Sequence, residues 1–287
     1  MLVIGERINS SRKSIAEAVS ARDRAFIQGE AMIQAKAGAS YIDVNAGAFA
    51  GSEVECLKWI VDSVREATDL PLCIDSPDPK VIRAILPSAG KRPMINSVTL
   101  DRDRMDRILP MVVESGGKVI GLCQSDRCTA METGEKLEMA GRLIEAAGTA
   151  GVPLDDLYID PLVHPIATDT QSALNTMNAI RQIMEQFPGV HTTCGLSNIS
   201  FGLPKRKLVN RTFLVGAIGC GLDSVIIDPT DKMLYGALRA GLMIAGKDEY
   251  CRGYIKAHRQ GLMDCGELQK PSNKPTEEMK NGRGCVG

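Results

Sequence analysis

The chain has 287 residues, 44% hydrophobic and 24% charged, with a formal net charge of −1. That is enough apolar residue for one large domain with its own core, and the near-neutral balance excludes the basic surface of a nucleic-acid binder. No apolar run reaches the ~18 residues that span a bilayer, and MLVIGERINSSRKS has no basic region ahead of an apolar stretch, so a cytoplasmic protein is expected.

Eight short apolar segments read as strands: Leu2–Arg7, Ser40–Asn45, Leu72–Asp75, Pro93–Ser97, Lys118–Cys123, Leu157–Asp160, Thr192–Leu196 and Ser224–Asp228. Amphipathic stretches lie between them. Leu57, Ile60, Val61 and Val64 recur at helical spacing, as do Met105, Ile108, Leu109 and Val112, and more loosely Met177, Ile180 and Met184. Glycines in AGAS, ESGG, TAGVP and GCGLD stand where helices should end, since glycine tolerates the left-handed backbone of a C-terminal cap. Continuous apolar strands alternating with helices predict a parallel sheet covered by helices. Eight such units predict an α/β fold, a (β/α)8 TIM barrel. An open doubly wound sheet would need a glycine-rich phosphate loop after its first strand, and GERINSSRKS lacks one. Residues 1–265 are expected to form the barrel, and the polar, proline-containing residues 266–287 a loose tail.

The nine cysteines are odd in number and show no CxxC pair, and several lie in apolar runs, so they read as reduced, structural thiols. His164, His191 and His258 are not near-paired with cysteines and read as ordinary polar contacts, so no metal site is expected. Cys123 and Cys128 flank a loop.

In such a barrel the C-terminal strand ends surround one pocket. Here they supply Glu6 and Asn9, Asp43 and Asn45, Asp75, Asn96, Gln124 with Asp126, Asp160, Ser197 with Asn198, and Asp228. There is no strand-end lysine for a Schiff base, no histidine cluster, no Ser-His-Asp set, and no clear anion nest in GLSNISFGLPKRK. Carboxylates and amides suit a flat heterocycle rich in N–H donors, because a carboxylate accepts two parallel N–H bonds and an amide donates and accepts side by side. The competing reading is that Asp75, Asn96, Asp160 and Asn198 cap the following helices.

MLVIGERIN, YIDVNAG, LCIDSPDP, MINSVT, DLYIDPL, GLSNISFGLP and NRTFL…GCGLD occur in that order over nearly all of residues 1–262. Together they resemble the pterin-binding methyltransferases that act between tetrahydrofolate and a corrinoid protein. These include the corrinoid/iron–sulfur protein methyltransferases of acetogens and the methyltransferase components of anaerobic demethylase systems. The resemblance implies a barrel that works as a homodimer and binds the pterin at its mouth. Asp75, Asn96 and Asp160 would hold the pterin edge, and Asn198 would sit near N5 as the catalytic residue. Asp43, Gly195, Ser197, Arg206 and Ile226 would line the pterin or glutamate path, as could Glu6 and Asn9. Tetrahydrofolate is then a substrate, and the corrinoid (cobalamin) arrives on a transient partner protein, since no Asp-x-His-x-x-Gly occurs here. The loop CQSDRCTAMETGEKL departs from the family pattern at the rim where that partner would dock. Two alternatives remain: a dihydropteroate synthase-like enzyme using Lys205, Arg206 and Lys207, and a non-catalytic folate-binding subunit of a corrinoid complex.

Overall fold

The computed structural model describes residues 1–126 and 128–263. The expected tail, 266–287, lies outside the described residues, as do residues 264 and 265 at the end of the expected barrel.

Eight strands run β1 (Leu2–Asn9), β2 (Tyr41–Asn45), β3 (Leu72–Asp75), β4 (Met94–Val98), β5 (Lys118–Leu122), β6 (Leu157–Asp160), β7 (His191–Thr192) and β8 (Ser224–Ile227). Paired neighbours are parallel, in the order β7-β6-β5-β4-β3-β2-β1-β8. The ends of that row meet. Ile226 donates its N–H to the Cys194 carbonyl at 3.0 Å, and Gly195 forms a parallel bridge with Ile226, which completes the barrel.

The helices are α1 (Lys13–Ser20), α2 (Arg24–Lys36), α3 (Glu53–Ala67), α4 (Pro79–Ile85), α5 (Arg102–Ser115), α6 (Thr133–Ala150), α7 (Ser172–Gln186), α8 (Arg206–Gly219), α9 (Lys232–Ile244) and α10 (Arg252–Arg259). No helix among the described residues is long and apolar enough to cross a membrane.

Three layers of apolar packing hold the barrel. Inside it sit Ile4, Tyr41, Cys73, Met94, Ile120 and Tyr158, one from each of six strands. Between sheet and helices lie two larger clusters. The stripe Leu57, Ile60, Val61 and Val64 is fully buried on α3, and Ile108, Leu109 and Val112 are buried on α5. On α7 the buried row is Thr176, Ala179, Ile180 and Ile183, with Met177 and Met184 at its margin. There the branched Ile183, not the flexible Met184, takes the core position. One glycine in each of the four punctuating segments, Gly38, Gly116, Gly151 and Gly221, adopts a positive, left-handed φ. Gly38 is also held to hydrogen by space, because a Cβ there would lie 2.6 Å from the Tyr235 hydroxyl oxygen.

The seventh strand differs most from expectation. Only His191–Thr192 is extended, and Leu196–Ser200 forms a 3-10 turn. Gly195 and the hydrogen-bonding Ser197 and Asn198 favour a local turn over a ladder, and the Gly195 carbonyl accepts from Asn198 N–H at 3.3 Å. The turn buries Leu196 and Ile199 while lifting Asn198 into solvent.

At the N-terminal face of the barrel, His191 is more than an ordinary polar contact. Its ring stacks on Tyr158 with centroids 4.7 Å apart, and its nitrogens lie 2.6 Å from Asp223 and 3.1 Å from Asp155. The Asp223 hydrogen bond raises its pKa above the ordinary value, with Asp155 adding to the effect against desolvation. A raised folded-state pKa stabilises the fold fully below the unfolded value near ~6.5 and loses that contribution as pH rises through the folded value. The melting temperature should therefore fall over that interval, and His191→Gln should flatten the fall. A variant with the wild-type pH dependence would contradict this role.

Candidate functional site

Side chains alternate along a strand, so the residue two beyond each member of the interior cluster also faces inward. Those positions are Glu6 after Ile4, Asp43 after Tyr41, Asp75 after Cys73, Asn96 after Met94, Leu122 after Ile120, and Asp160 after Tyr158. A ring that is nearly all carboxylate and amide thus lies on top of an apolar plug. Arg7 faces the other way and reaches Glu30 of α2 at 2.6 Å. It also holds Asp228 at 2.8 Å, whose other oxygen accepts from the Thr230 hydroxyl at 2.6 Å.

Within the ring, Asn96 donates to Asp43 at 3.5 Å, a long contact. Asn45 donates to Asp75 at 3.0 Å and accepts from the Ser10 hydroxyl at 3.1 Å and Gly47 N–H at 3.0 Å. One Asp160 oxygen accepts from Leu162 N–H at 2.8 Å, and the carboxylate also accepts from the Gly195 backbone.

Burial dominates the electrostatics. It pushes Asp43 well above the usual carboxylate range, and the neighbouring Asp75 adds to the effect. It raises Asp75 to about 6, against the Asn45 hydrogen bond, and Asp160 to about 6, against the Leu162 N–H. Glu6 rises to about 7 through burial and the nearby Asp228. Four clustered carboxyl groups therefore hold protons more tightly than in water. A bound N–H-rich edge would reverse this by bonding to the ionised forms.

None of Asp75, Asn96, Asp160 and Asn198 caps a helix. Helix N-termini are instead capped by the side chains of Asp23, Asp78, Asp101 and Asp231, and by a capping box between Glu132 and Glu135. Asp160 spends one oxygen on a local turn, but no helix starts there.

The other expected residues gather on the β7–α8 side. Asn198 is exposed, and its side chain makes no hydrogen bond among the described residues. Its amide nitrogen would lie 3.3 Å from a Cβ at Gly195, so glycine leaves room beside the amide. Arg206 opens α8, donates to the Ser197 carbonyl at 2.8 Å and the Ser200 hydroxyl at 3.1 Å, and lies over the Phe201 ring. It braces the turn that carries Asn198. Lys207 pairs with Asp231 at 3.2 Å, so two of the three basic residues in that run are engaged by the chain itself. Asn9 turns to its own loop and accepts from Ser11 N–H at 2.9 Å. After β5, Gln124 forms an antiparallel bridge with Thr129. Among the described residues, no group of three His, Cys, Asp or Glu is placed to hold a metal ion.

Three further residues shape the site: Asn45, known from the sequence only as a strand-end amide, and Arg104 and Lys136, which the sequence does not single out. Asn45 ties β1, β2 and β3 together through the bonds above. Arg104 of α5 donates to the carbonyls of Ser97 at 2.8 Å, Ser76 at 3.1 Å and Pro77, tying the loop after β3 to the end of β4. Lys136 of α6 is fully buried and donates to the carbonyls of Pro161 at 2.5 Å, Leu162 at 2.7 Å and Ala130 at 3.1 Å. A signal for Lys136 was present: it occupies the first position of the apolar row Met139, Ala140, Leu143, Ala147.

Residues 5–228 match the family described as pterin binding enzyme. The methylcorrinoid:tetrahydrofolate methyltransferase of Eubacterium limosum is 39% identical over 263 residues, covering 91% of this chain and 97% of that protein. Methionine synthase of Mycobacterium tuberculosis (strain ATCC 25618 / H37Rv) is 33% identical over 240 residues, which span 79% of this chain and 20% of that longer protein. In fold, the chain resembles dihydropteroate synthase of Coxiella burnetii solved with pteroic acid. The TM-score is 0.60 at 18% identity, over 85% of this chain and 91% of that one. The Yersinia pestis dihydropteroate synthase gives 0.61 at 16% identity, over 87% and 93%. A barrel with eight parallel strands, a polar ring at its mouth and these matches lead to one assignment: the chain belongs to the family of pterin-binding enzymes.

Proposed function

We propose that this protein transfers a methyl group between the cobalt of a corrinoid protein and N5 of tetrahydrofolate. The observation that carries the reading is the 39% identity, over 91% of this chain, to a protein named for that pair of substrates. The ring of Asp43, Asp75, Asn96 and Asp160 supports it, because such a ring complements the guanidine-like edge of a pterin. Dihydropteroate synthase chemistry draws less support: those relatives share the fold at 18% identity or less, and Arg206 and Lys207 are engaged within the chain.

In this reading Asp75 and Asp160 accept pterin N–H groups, and Asn96 and Asp43 complete the edge. Gly195, Ser197 and Ile226 shape the wall beside Asn198, Arg206 braces it, and Glu6 and Asn9 lie at the β1 side. The N5 lone pair attacks the methyl carbon, the Co–C bond breaks with its electron pair left on cobalt as Co(I), and the N5 proton leaves. In reverse, N5 must gain a proton or a strong hydrogen bond as it departs, since an amide anion is a poor leaving group. An amide side chain does not give up a proton at neutral pH, so Asn198 holds the hydrogen-bond network at N5 and stabilises the developing charge. The corrinoid comes and goes on a separate protein. The same reading makes the active species a cytoplasmic homodimer in demethylation or one-carbon metabolism, and light scattering checks the dimer.

Transfer is tested with methylcobalamin carrying a labelled methyl carbon. Label should appear on N5 of tetrahydrofolate in proportion to enzyme. Folate that binds tightly yet stays unlabelled, even with a methylated corrinoid protein, would favour the binding-subunit alternative. A second expectation concerns pH. If the ring binds pterin through ionised Asp75 and Asp160, each held at about 6 in the free protein, affinity is full above that value. It falls as pH drops through it, and binding releases protons. Titration calorimetry in buffers of different ionisation enthalpy measures both effects, and pH-independent affinity would contradict the assignment.

A further inference from the structure

Lys136 is a long cationic side chain with no exposed surface. A buried cation needs an anion or a full set of acceptors. Among the described residues it has no carboxylate within ion-pair distance. Its ammonium instead fills all three donor positions with backbone carbonyls: Pro161 at 2.5 Å, Leu162 at 2.7 Å and Ala130 at 3.1 Å. Two of these belong to the residues that directly follow Asp160. Leu162 is also the residue whose N–H holds Asp160, and it sits at a left-handed φ of 60°. That conformation is costly for a leucine and persists only where its surroundings fix it. The third carbonyl, Ala130, comes from the loop after β5, and His164 shares it at 3.1 Å. One buried ammonium therefore joins the loops after β5 and β6 directly behind one member of the polar ring.

We propose that Lys136 is a positioning residue for the pterin site. It fixes the Asp160–Pro161–Leu162 turn and places a positive charge behind Asp160, so that the carboxylate meets the pterin edge charged and in a single orientation. The inference rests on the reading that Asp160 accepts from the pterin.

The groups around the pair are few. Cys123, Asp160, Asp169 and Glu135 are the acidic groups that act on Lys136, and burial lowers its pKa ahead of them. Cys123 and Cys194 also feel Asp160, and burial holds both thiols above their usual range, so they stay neutral. Lys136 is the cation among the groups acting on Asp160. Removing its charge should push the Asp160 carboxyl further toward the protonated form.

The test uses the full chain and tetrahydrofolate as the probe. With Lys136→Met, the pH midpoint below which affinity is lost should move up by about one unit, a typical effect of one nearby charge. That makes affinity up to about tenfold weaker at pH 5.5 and within about twofold of wild type at pH 8.5. A purely structural lysine would weaken binding by the same factor at both pH values, and that result overturns the proposal. Lys136→Gln retains a donor but not the charge, and serves if the methionine variant does not fold. The same displaced midpoint is expected of it, and an unmoved midpoint counts against the proposal. Asp160→Asn separates the two readings. If that variant binds tetrahydrofolate normally, the pterin role of Asp160 fails irrespective of how Lys136 behaves.

Discussion

Asp160→Ala should weaken tetrahydrofolate binding on the order of 100-fold or more. In the proposed complex the carboxylate accepts charge-assisted N–H bonds worth roughly 1.5–3 kcal/mol each, and about 1.4 kcal/mol is tenfold in affinity. Alanine also leaves the Leu162 and Gly195 N–H groups without their acceptor. Asp160→Asn gives the cleaner comparison, because it keeps the volume and one acceptor oxygen. It should also lose binding, yet the free protein should gain stability at high pH. The sign follows from linkage. Asp160 has a folded pKa of about 6, above its unfolded value. The protonated carboxyl favours the fold below the unfolded value near ~3.9, and that advantage is lost as pH rises through about 6. The asparagine variant escapes this loss. At pH 8 it should be more stable than wild type by about 1–2 kcal/mol, discounted from the full shift because neighbours relax. Chemical denaturation at pH 4 and pH 8 checks this. An asparagine variant that binds folate normally, or is destabilised more at pH 8 than at pH 4, would contradict the account.

Asn198→Ala should act on the rate and leave binding and folding nearly unchanged. The side chain is exposed and makes no hydrogen bond among the described residues, so the fold has little to lose. The backbone beneath it is held independently by Arg206 through the Ser197 carbonyl. In the proposed reaction the amide acts only as charge changes at N5. Loss of one such preorganised donor costs roughly 100-fold in kcat, about 2.7 kcal/mol. The expected result is a kcat lower by about that factor, with the tetrahydrofolate Kd within a few-fold of wild type. Single-turnover kinetics separates the two quantities. A variant that transfers methyl at the wild-type rate would remove Asn198 from the mechanism. One that loses binding and rate together would make it a pterin-binding residue only.

Most of the barrel was legible because its signals are local and periodic. The strands are short apolar runs, four of which end at Asp or Asn (Asn9, Asn45, Asp75 and Asp160), and the helices show stripes such as Leu57, Ile60, Val61 and Val64. The polar ring was legible for the same reason, since period-two alternation decides which residues face inward once a strand is recognised. What escaped depended on contacts distant in sequence. The end of β7 was misread because CGLSN is apolar enough for a strand, and only the pairing of Cys194 and Gly195 with Ile226 shows where the ladder stops. Asn45 looked like one more strand-end amide, and its partners, Ser10 and Asp75, lie 35 and 30 residues away. Lys136 was overlooked because lysine on a helix is ordinarily solvated. Its place in an apolar row is visible, but the carbonyls that make the place tenable belong to the loops after β5 and β6. His191 likewise reads as an ordinary polar residue in the sequence, because its partners Asp155 and Asp223 lie in the segments leading into β6 and β8.

The most direct measurement is an anaerobic absorbance record of methylcobalamin mixed with tetrahydrofolate and this protein, repeated with a methylated corrinoid protein. The account predicts enzyme-dependent replacement of the methyl-Co(III) spectrum by that of Co(I), strongly reduced by Asp160→Ala at subsaturating tetrahydrofolate and slowed about 100-fold by Asn198→Ala. A methyl-Co(III) spectrum that persists with both donors, while tetrahydrofolate is bound, would contradict it.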